Sequence, residues 1–325
     1  MERPLLSVLI CTRNRAGDLR DALNSLAAQD PPGELCEAVV VDNGSIDTTP
    51  EVVSRFAAPD WLSVRYVYEA VVGLSHARNT GTTVAQGKII AFLDDDAIAD
   101  RMWIRGHLEP YQGDPEVACV GGKSLGLWLG QRPDWFSPRF DMMLGCGGFG
   151  DRPRTLRYPD KPLGCNMSIR KDILTKLGGF STQLGRRDRS LLSNEECEFF
   201  YRVWKMGYKM VYAPNAVIYH KIYPYRATRR YLLRRMYWQG VSDVRTRELT
   251  EPSERPLHFA QALRVLLRCP RVLAAAIWHE CQHRPQKAME SLATLSYSLG
   301  SAQEELALAI QRALAHKKKD MHTSR

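Results

Sequence analysis

Short apolar runs bounded by polar turns recur through residues 5–220, and amphipathic segments with helical spacing separate most of the early ones. The run at residues 89–93 is β-prone and follows a glycine, which is typical of a fully buried strand. Further strand-like runs lie at residues 5–11, 38–41, 64–68, 117–120, 163–169 and 211–220, and we expect the last of them to be broken at Pro214. Strands that alternate with helices at this spacing predict an α/β fold with a doubly wound, mostly parallel sheet. Residues 223–325 have helical periodicity instead, which predicts a mainly helical C-terminal extension.

Three aspartates, Asp94, Asp95 and Asp96, follow the run at residues 89–93 without a break. Ligands of open α/β sheets bind just outside the carboxyl ends of the strands, which is where this triplet lies. Adjacent carboxylates repel one another unless solvent or a cation compensates their charge. The triplet therefore predicts either a solvated acidic turn or a site for Mg²⁺ or Mn²⁺, and its place after a buried strand favours the metal site.

The composition is that of an ordinary globular protein, with 44% hydrophobic and 25% charged residues, which argues against disorder. Eight cysteines are scattered without a C-x-x-C pair, so we expect reduced thiols in a cytoplasmic protein. Met1 leads almost directly into a strand-like run, so we expect no signal peptide. No stretch approaches about 18 uncharged apolar residues, and we therefore expect no transmembrane helix.

The net charge of +9 resides in the last third of the chain. Residues 221–325 contain 19 lysines and arginines against 9 acidic residues, whereas the preceding residues contain 26 and 27. This basic region either docks on an anionic surface at the inner face of the cell membrane or forms a solvated helical cap. Residues 229–238 mix cations with aromatic side chains, which suits the first interpretation. We expect no nucleic-acid partner, because the chain has no zinc-finger, helix-turn-helix or RNA-binding aromatic motif.

Eight short motifs follow one another in a fixed order over residues 5–220. They are LICTRNR at residues 9–15, VDNGSID at 41–47, ARNTG at 77–81, FLDDD at 92–96, GCNMSIR at 164–170, KLGGF at 176–180, NEE at 194–196 and His220. In this order they resemble the motifs of family 2 glycosyltransferases. The resemblance implies a GT-A fold, in which a nucleotide-binding α/β domain carries an acceptor-side extension. We expect a catalytic domain at residues 1–222, with a donor half at about 1–122 and an acceptor half at about 123–222. A basic helical extension at 223–325 should end in a frayed tail.

The resemblance also implies an inverting, metal-dependent glycosyltransferase of the hexosyltransferase type. The donor would be a nucleotide-diphosphate sugar, with a UDP-sugar favoured, and the acceptor a hydroxyl of a glycan, a lipid-linked molecule or a small molecule. The product would enter cell-surface polysaccharide, glycolipid or another glycoconjugate. The family's Asp-x-Asp motif falls on Asp94 and Asp96, so both are expected metal ligands, with Asp96 the more direct. His220 is in the position of a further ligand, or it merely ends a strand. A bound Mn²⁺ or Mg²⁺ would neutralise the leaving diphosphate.

An inverting transfer needs a general base for the acceptor hydroxyl. Similar enzymes have Glu-Asp at the start of a helix with the Asp as base, whereas this chain has Glu195-Glu196. We predict Glu196 as the base and Glu195 as its neighbour in the catalytic pair, the alternative being an ordinary acidic first turn. Arg78 suits a phosphate, the alternative being a surface ion pair. The resemblance assigns donor binding to Thr12, Asn14, Asp42, Arg78, Asp94, Asp95 and Asn166.

Two other functions compete with sugar transfer. A sugar-phosphate nucleotidyltransferase resembles the GT-A fold but usually has a glycine-rich loop after its first strand, and here the first glycine after that strand is Gly17. A catalytically inactive GT-A protein that acts as a binding or scaffold subunit is the second alternative. The presence of Asp94, Asp96, Glu196 and His220 argues against an inactive protein.

Overall fold

The computed structural model describes residues 4–188, 190–251 and 257–323, without side chains at 257–259 and beyond 314. The chain forms two compact units. The first comprises Met1–Gly130, Asp141–Asp188 and Glu195–Tyr223, and the second comprises Gln131–Phe140, Arg189–Asn194 and Pro224–Arg325. The last boundary between the two units therefore lies after Tyr223. The segments Gln131–Phe140 and Arg189–Asn194 lie earlier in the chain but belong to the second unit.

One mixed sheet contains the nine strands found in the described part of the first unit. They are β1 (Leu6–Thr12), β2 (Cys36–Asp42), β3 (Leu62–Tyr68), β4 (Ile89–Leu93), β5 (Ala97–Ala99), β6 (Val117–Trp128), β7 (Arg154–Leu156), β8 (Asn166–Arg170) and β9 (Lys209–Ile222). Their order is β3-β2-β1-β4-β8-β6-β9-β5, and β7 pairs with β9 outside this path. The strands β3, β2, β1 and β4 are parallel, whereas β8 is antiparallel to both of its neighbours. The predicted α/β fold is confirmed, with the continuous parallel part confined to the first half of the sheet.

Helices alternate with the strands of the first unit, as the hydrophobic pattern predicts. They are α1 (Ala16–Ala27), α2 (Thr49–Ser54), α3 (Leu74–Val84), α4 (Trp103–Gly113), α5 (Lys171–Lys176) and α6 (Glu195–Lys205). Both faces of the central strands are covered, because Val8 and Ile10 of β1 join one buried cluster and Leu9 joins another. Burial on both faces explains why β1 and β4 are continuous apolar runs rather than alternating ones.

Strand pairing gathers polar side chains at one edge of the sheet. Thr12 at the end of β1 is in register with Asp42 at the end of β2, and Asp94 directly follows β4. The short strand β5 then pairs antiparallel with β9 and puts Ala97 opposite His220. The acids after β4 and the histidine of β9 are thereby brought to the same edge, although they are far apart in sequence.

Three features of the sheet differ from the sequence-based expectation. The strands β5 and β7 were not predicted, because each has only three residues and no alternating pattern of its own. The last strand is continuous through Pro214, where a break was expected. The register of β6 with β9 shifts between Gly122 and Lys123, so the segment around Pro214 bulges out of the pairing. A bulge accommodates a proline, which has no amide hydrogen to donate to the ladder.

The second unit is mainly helical, as predicted, with α7 (Arg229–Thr250), α8 (Leu257–Cys281) and α9 (Pro285–Thr323). The helix α9 packs on both α7 and α8. Helical backbone extends to Thr323, and the frayed end of the basic extension stays a prediction. None of the described helices is both long and apolar enough to cross a membrane.

Close contact between α7 and α9 depends on two glycines. A Cβ built on Gly240 would lie 2.1 Å from the carbonyl oxygen of Tyr297, and one on Gly300 would lie 1.9 Å from that of Tyr237. Leu232 and Arg235 are buried, so part of the cationic and aromatic segment at residues 229–238 faces protein. This segment of α7 is therefore only partly exposed.

Candidate active site

The acidic cluster consists of Asp94, Asp96 and His220. The His220 Nε2 atom lies 3.3 Å from Asp96 Oδ1 and 3.8 Å from Asp94 Oδ2. Each of the three residues offers one possible ligand atom, and these three atoms all lie within 4.8 Å of one another. His220 and Asp96 are buried, whereas the Asp94 side chain is 34% exposed and leaves the cluster open on one side. Two carboxylates and an imidazole in this arrangement can hold a divalent cation such as Mn²⁺ or Mg²⁺.

The protonation of His220 reflects its acidic surroundings. Burial lowers its pKa, but the charges and hydrogen bonds of Asp96 and Asp94 outweigh that effect and raise the pKa to about 9. The other ring nitrogen, Nδ1, has no hydrogen-bond partner within the described residues. A histidine that ligates a metal is neutral, so a bound cation would replace this proton. The donor set therefore fits the expected metal.

Asp95 bonds to the end of β1 and to the loop that follows it. It accepts hydrogen bonds from Thr12 Oγ1 at 2.8 Å and from Arg15 Nη1 at 3.0 Å. The same Arg15 nitrogen donates to Asp96 Oδ2 at 2.8 Å. Burial and the neighbouring Asp96 raise the pKa of Asp95 to about 7, although Arg15 and Thr12 oppose the shift. The predicted donor-binding residues Thr12 and Asp95 thus bond to each other.

Arg15 is a site residue that sequence reasoning missed. It lies at the carboxyl end of β1, and β1 pairs directly with β4, whose end has the aspartates. A cation at the end of one strand beside acids at the end of its neighbour is the signal that could have identified it. Its guanidinium compensates the charge of two adjacent buried carboxylates.

Asn14 and Asp42 shape the loops after β1 and β2. The backbone amide of Asn14 donates to Ser45 Oγ at 2.9 Å, and the side-chain Oδ1 of Asn14 accepts from the backbone amide of Ile46 at 2.7 Å. Asp42 accepts from the Ser45 amide at 2.8 Å and from the Tyr66 hydroxyl at 2.7 Å. Both predicted donor-binding residues therefore lie at the same edge as the acidic cluster, where they also fix the conformation of the loop at residues 43–46.

Arg78 is buried on α3 and bonds to protein groups. Its Nη1 donates to Glu195 Oε1 at 2.7 Å, and its Nη2 donates to the carbonyl oxygen of Gly164 at 2.8 Å. The Nη2 atom also lies 3.7 Å from Asp94 Oδ1. The guanidinium is almost wholly enclosed by these acceptors, and its predicted contact with phosphate stays a prediction. Arg78 links the start of α6 to the acidic cluster.

The two glutamates at the start of α6 have different surroundings. Glu195 is buried, and its Oε2 has no hydrogen-bond partner among the described residues. Burial first, and then the charge of Glu196, raise the pKa of Glu195 to about 7 against the effect of Arg78. Glu196 is half-buried, and a Cβ built on Gly164 would lie 3.4 Å from its Cδ. Glu196 is therefore the more accessible carboxylate of the pair.

Asn166, which is predicted to bind the donor, is buried and bonds to protein groups. Its Oδ1 accepts from Trp103 Nε1 at 2.8 Å and lies 2.9 Å from His107 Nε2. Its Nδ2 donates to the carbonyl oxygens of Lys123 at 2.9 Å and Ala216 at 2.8 Å. These four contacts use the full hydrogen-bonding capacity of a buried amide side chain. Asn166 ties α4 to β6 and β9, and its role in donor binding stays a prediction.

Residues 7–146 match the family model described as Glycosyl transferase family 2. The curated relatives include a glucosyl-dolichyl phosphate glucuronosyltransferase from Haloferax volcanii, which is 29% identical over 242 residues, or 73% of this chain and 75% of the relative. Residues 7–146 are therefore similar to glycosyl transferase family 2. Another Haloferax volcanii relative, Glycosyltransferase AglE, is 27% identical over 270 residues, and this alignment covers 81% of each chain. Both of these relatives are named as glycosyltransferases, which is the activity that the motifs predict for this chain.

Solved structures agree on the fold. The mannosyltransferase PcManGT from Pyrobaculum calidifontis, solved with GDP-Man and Mn²⁺, superposes with a TM-score of 0.60 at 22% identity. The match covers 94% of this chain and 88% of that one. TarS 1-349 from S. aureus, solved with UDP, has a TM-score of 0.52 at 16% identity and covers 93% and 91%. At these identities the likeness establishes the fold alone, which is the GT-A fold.

Proposed function

We propose that the chain transfers a sugar, with inversion, from a nucleotide-diphosphate donor to a hydroxyl of a lipid-linked acceptor. The observation that carries this proposal is the Arg78 bridge, because one buried guanidinium contacts both Glu195 and Asp94. A metal cluster and a carboxylate pair are thereby parts of one site. PcManGT was solved with GDP-Man and Mn²⁺ and TarS 1-349 with UDP, which supports a nucleotide-sugar donor and leaves the nucleotide to experiment.

The donor half of the proposed site contains the metal ligands. Asp94, Asp96 and His220 would hold Mn²⁺ or Mg²⁺, which supplies positive charge to the diphosphate as its bond to the sugar breaks. Arg15 bonds to Asp96 Oδ2 at 2.8 Å and leaves Oδ1 directed at His220. This arginine therefore orients the Asp96 carboxylate within the cluster. The loops fixed by Asn14 and Asp42 supply the surface for the nucleoside.

The acceptor half of the proposed site centres on Glu196. In the reaction, the acceptor oxygen bonds to the anomeric carbon as the bond from that carbon to the diphosphate oxygen breaks. The hydroxyl proton passes to the Glu196 carboxylate, and a single displacement of this kind inverts the anomeric centre. Glu196 suits this role because it is the accessible member of the pair at a helix N-terminus, where ionised carboxylates are stabilised. Glu195 is enclosed and acts by holding Arg78.

The acceptor class is inferred from one relative. The Haloferax volcanii protein is named for a glucosyl-dolichyl phosphate, a sugar on a lipid phosphate. Among the three acceptor classes predicted from the sequence, this name favours the lipid-linked one. The same comparison supports a place in the assembly of a lipid-borne glycoconjugate.

The proposal is tested by incubating the full chain and Mn²⁺ with a panel of UDP- and GDP-sugars and a polyprenyl-phosphate-linked glucose. Mass spectrometry should detect an acceptor enlarged by one sugar residue, and NMR should show an anomeric configuration opposite to that of the donor. A screen of donor binding by thermal shift selects the sugars to test, because a ligand of the folded state raises its melting point. A product with retained configuration would refute the single displacement.

A further inference from the structure

The helix α8 exposes a row of large apolar side chains. We call this row the apolar stripe of α8, and its members are Leu263, Leu266, Leu267, Leu273, Ile277 and Trp278. Leu267 is 69% exposed and Trp278 is 63% exposed. Spacings of three, four and seven residues put these side chains on one side of a helix that turns 100° per residue. A continuous exposed apolar surface of this kind marks an interaction site rather than ordinary surface variation.

The buried side of α8 uses small residues instead. Ala262 and Ala276 are buried, and α8 packs on α9. A surface helix of a soluble domain normally turns its large apolar residues inward and its polar ones outward. In α8 this distribution is reversed, because alanines contact the rest of the unit and leucines face outward. The apolar stripe is therefore not the packing face of α8.

Charge indicates what covers the stripe. Arg264, Arg268 and Arg271 are exposed and lie along one border of the stripe, at helical spacings of three and four residues. The single acidic residue of α8 is Glu280, whose carboxylate is 3.9 Å from Arg229. An apolar face bordered by cations is the pattern of a helix that lies in the plane of an anionic bilayer surface. If the α8 helix of a second copy packed against this stripe, it would bring the same three arginines. Glu280 would be the only acid of α8 that could pair with them.

We propose that α8 docks on an anionic lipid surface, with its apolar stripe at the acyl boundary and its arginines on lipid phosphates. Arginine suits this contact because its planar fork matches phosphate oxygens and its aliphatic stem covers apolar surface. The proposal concerns binding alone and does not depend on the transfer reaction. It assigns the interface to α8, whereas the aromatic and basic segment of α7 is partly enclosed.

The test is co-sedimentation of the full chain with vesicles, in the absence of donor and metal. Binding to phosphatidylserine-rich vesicles should exceed binding to pure phosphatidylcholine vesicles and should fall as salt is added. The double variant Leu267→Gln and Trp278→Gln should lose roughly tenfold or more of this binding, since both side chains contribute apolar area. The matched control, Leu35→Gln with Met206→Gln, removes two exposed apolar side chains of the first unit and should bind like the wild type.

A second pair of variants tests the charged border. Changing Arg264, Arg268 and Arg271 to Gln should weaken binding to anionic vesicles by on the order of 10²-fold, at about fivefold for each cation near such a surface. Changing Arg20, Lys88 and Arg105 to Gln removes the same charge from exposed positions of the first unit and should have little effect. Equal losses in the two triple variants would overturn the proposal. The proposal would also be overturned if the wild type does not bind vesicles and is instead a dimer in sedimentation velocity, with the Leu267→Gln, Trp278→Gln variant a monomer.

Discussion

The Arg78 guanidinium donates to Glu195 Oε1 at 2.7 Å, and both side chains are buried. Removing the arginine would leave an enclosed carboxylate without its cation. We therefore expect Arg78→Met to lower the free energy of unfolding by about 3 kcal/mol or more, as measured by urea denaturation. Arg101→Met breaks the exposed pair with Asp30 and should cost less than about 1 kcal/mol. Similar losses in the two variants would contradict the buried bridge.

Stability should depend on pH through Glu195. Its folded-state pKa is about 7, above the ordinary value of 4.5, so the folded state favours the protonated carboxyl. The resulting stabilisation is fully present below about pH 4.5 and is lost as the pH rises through about 7. Glu195→Gln cannot ionise, so its unfolding free energy should fall less than that of the wild type between about pH 5 and about pH 8. Parallel urea-derived stability profiles for the two proteins would show that Glu195 does not titrate in this range.

Substitutions of Glu195 and Glu196 should have different effects on kcat. Glu196→Gln removes the proposed base and should lower kcat by about 10²-fold or more, with donor affinity retained. Glu195→Gln keeps an acceptor for Arg78 and should reduce kcat less. Steady-state transfer rates and donor titrations of both variants provide the measurement. If Glu195→Gln is the inactive variant and Glu196→Gln retains activity, the base is assigned to the wrong residue.

Arg15 should compensate the acidic cluster when no metal is bound. Arg15→Gln leaves Asp95 and Asp96 less compensated, so its melting temperature without metal should fall below that of the wild type. Mn²⁺ replaces part of the missing charge, and the variant should therefore show a larger rise of melting temperature on Mn²⁺ addition. The control Arg13→Gln breaks a pair with the exposed Asp188 and should respond to Mn²⁺ like the wild type. A smaller Mn²⁺ response in Arg15→Gln than in the wild type would contradict this role.

The fold is predictable wherever burial gives a strong pattern. The buried strands β1, β2 and β4 are apolar runs whose centres the sequence identifies, although β2 extends to Cys36 and Asp42. The strand β5 has only Ala97–Ala99, and its pairing with β9 depends on residues more than a hundred positions later. Pairing of that kind leaves no local periodicity. The bulge that admits Pro214 is likewise a property of two strands rather than one.

The site shows the same limit. Asp94, Asp96 and His220 are identified by motif order, and the structure brings their ligand atoms together. Motif order does not reveal which way a side chain points, so it did not show that Asn166 bonds to groups of α4, β6 and β9. Arg15 was missed because its partners lie about eighty positions away and meet it only through the pairing of β1 with β4.

The most direct test of the proposed metal-dependent donor site is calorimetric titration of the full chain with UDP and with GDP, in Mn²⁺ and in EDTA. We predict that one nucleoside diphosphate binds only with Mn²⁺ and that Asp96→Asn weakens this binding by about 10²-fold, on the scale of losing a buried charged ligand. Asp95→Asn removes a charge from the same triplet but no cluster ligand, so it should retain the Mn²⁺ dependence. If the wild type in EDTA and Asp96→Asn in Mn²⁺ both bind the nucleotide as tightly as the wild type does in Mn²⁺, the assignment of Asp94, Asp96 and His220 as metal ligands is contradicted.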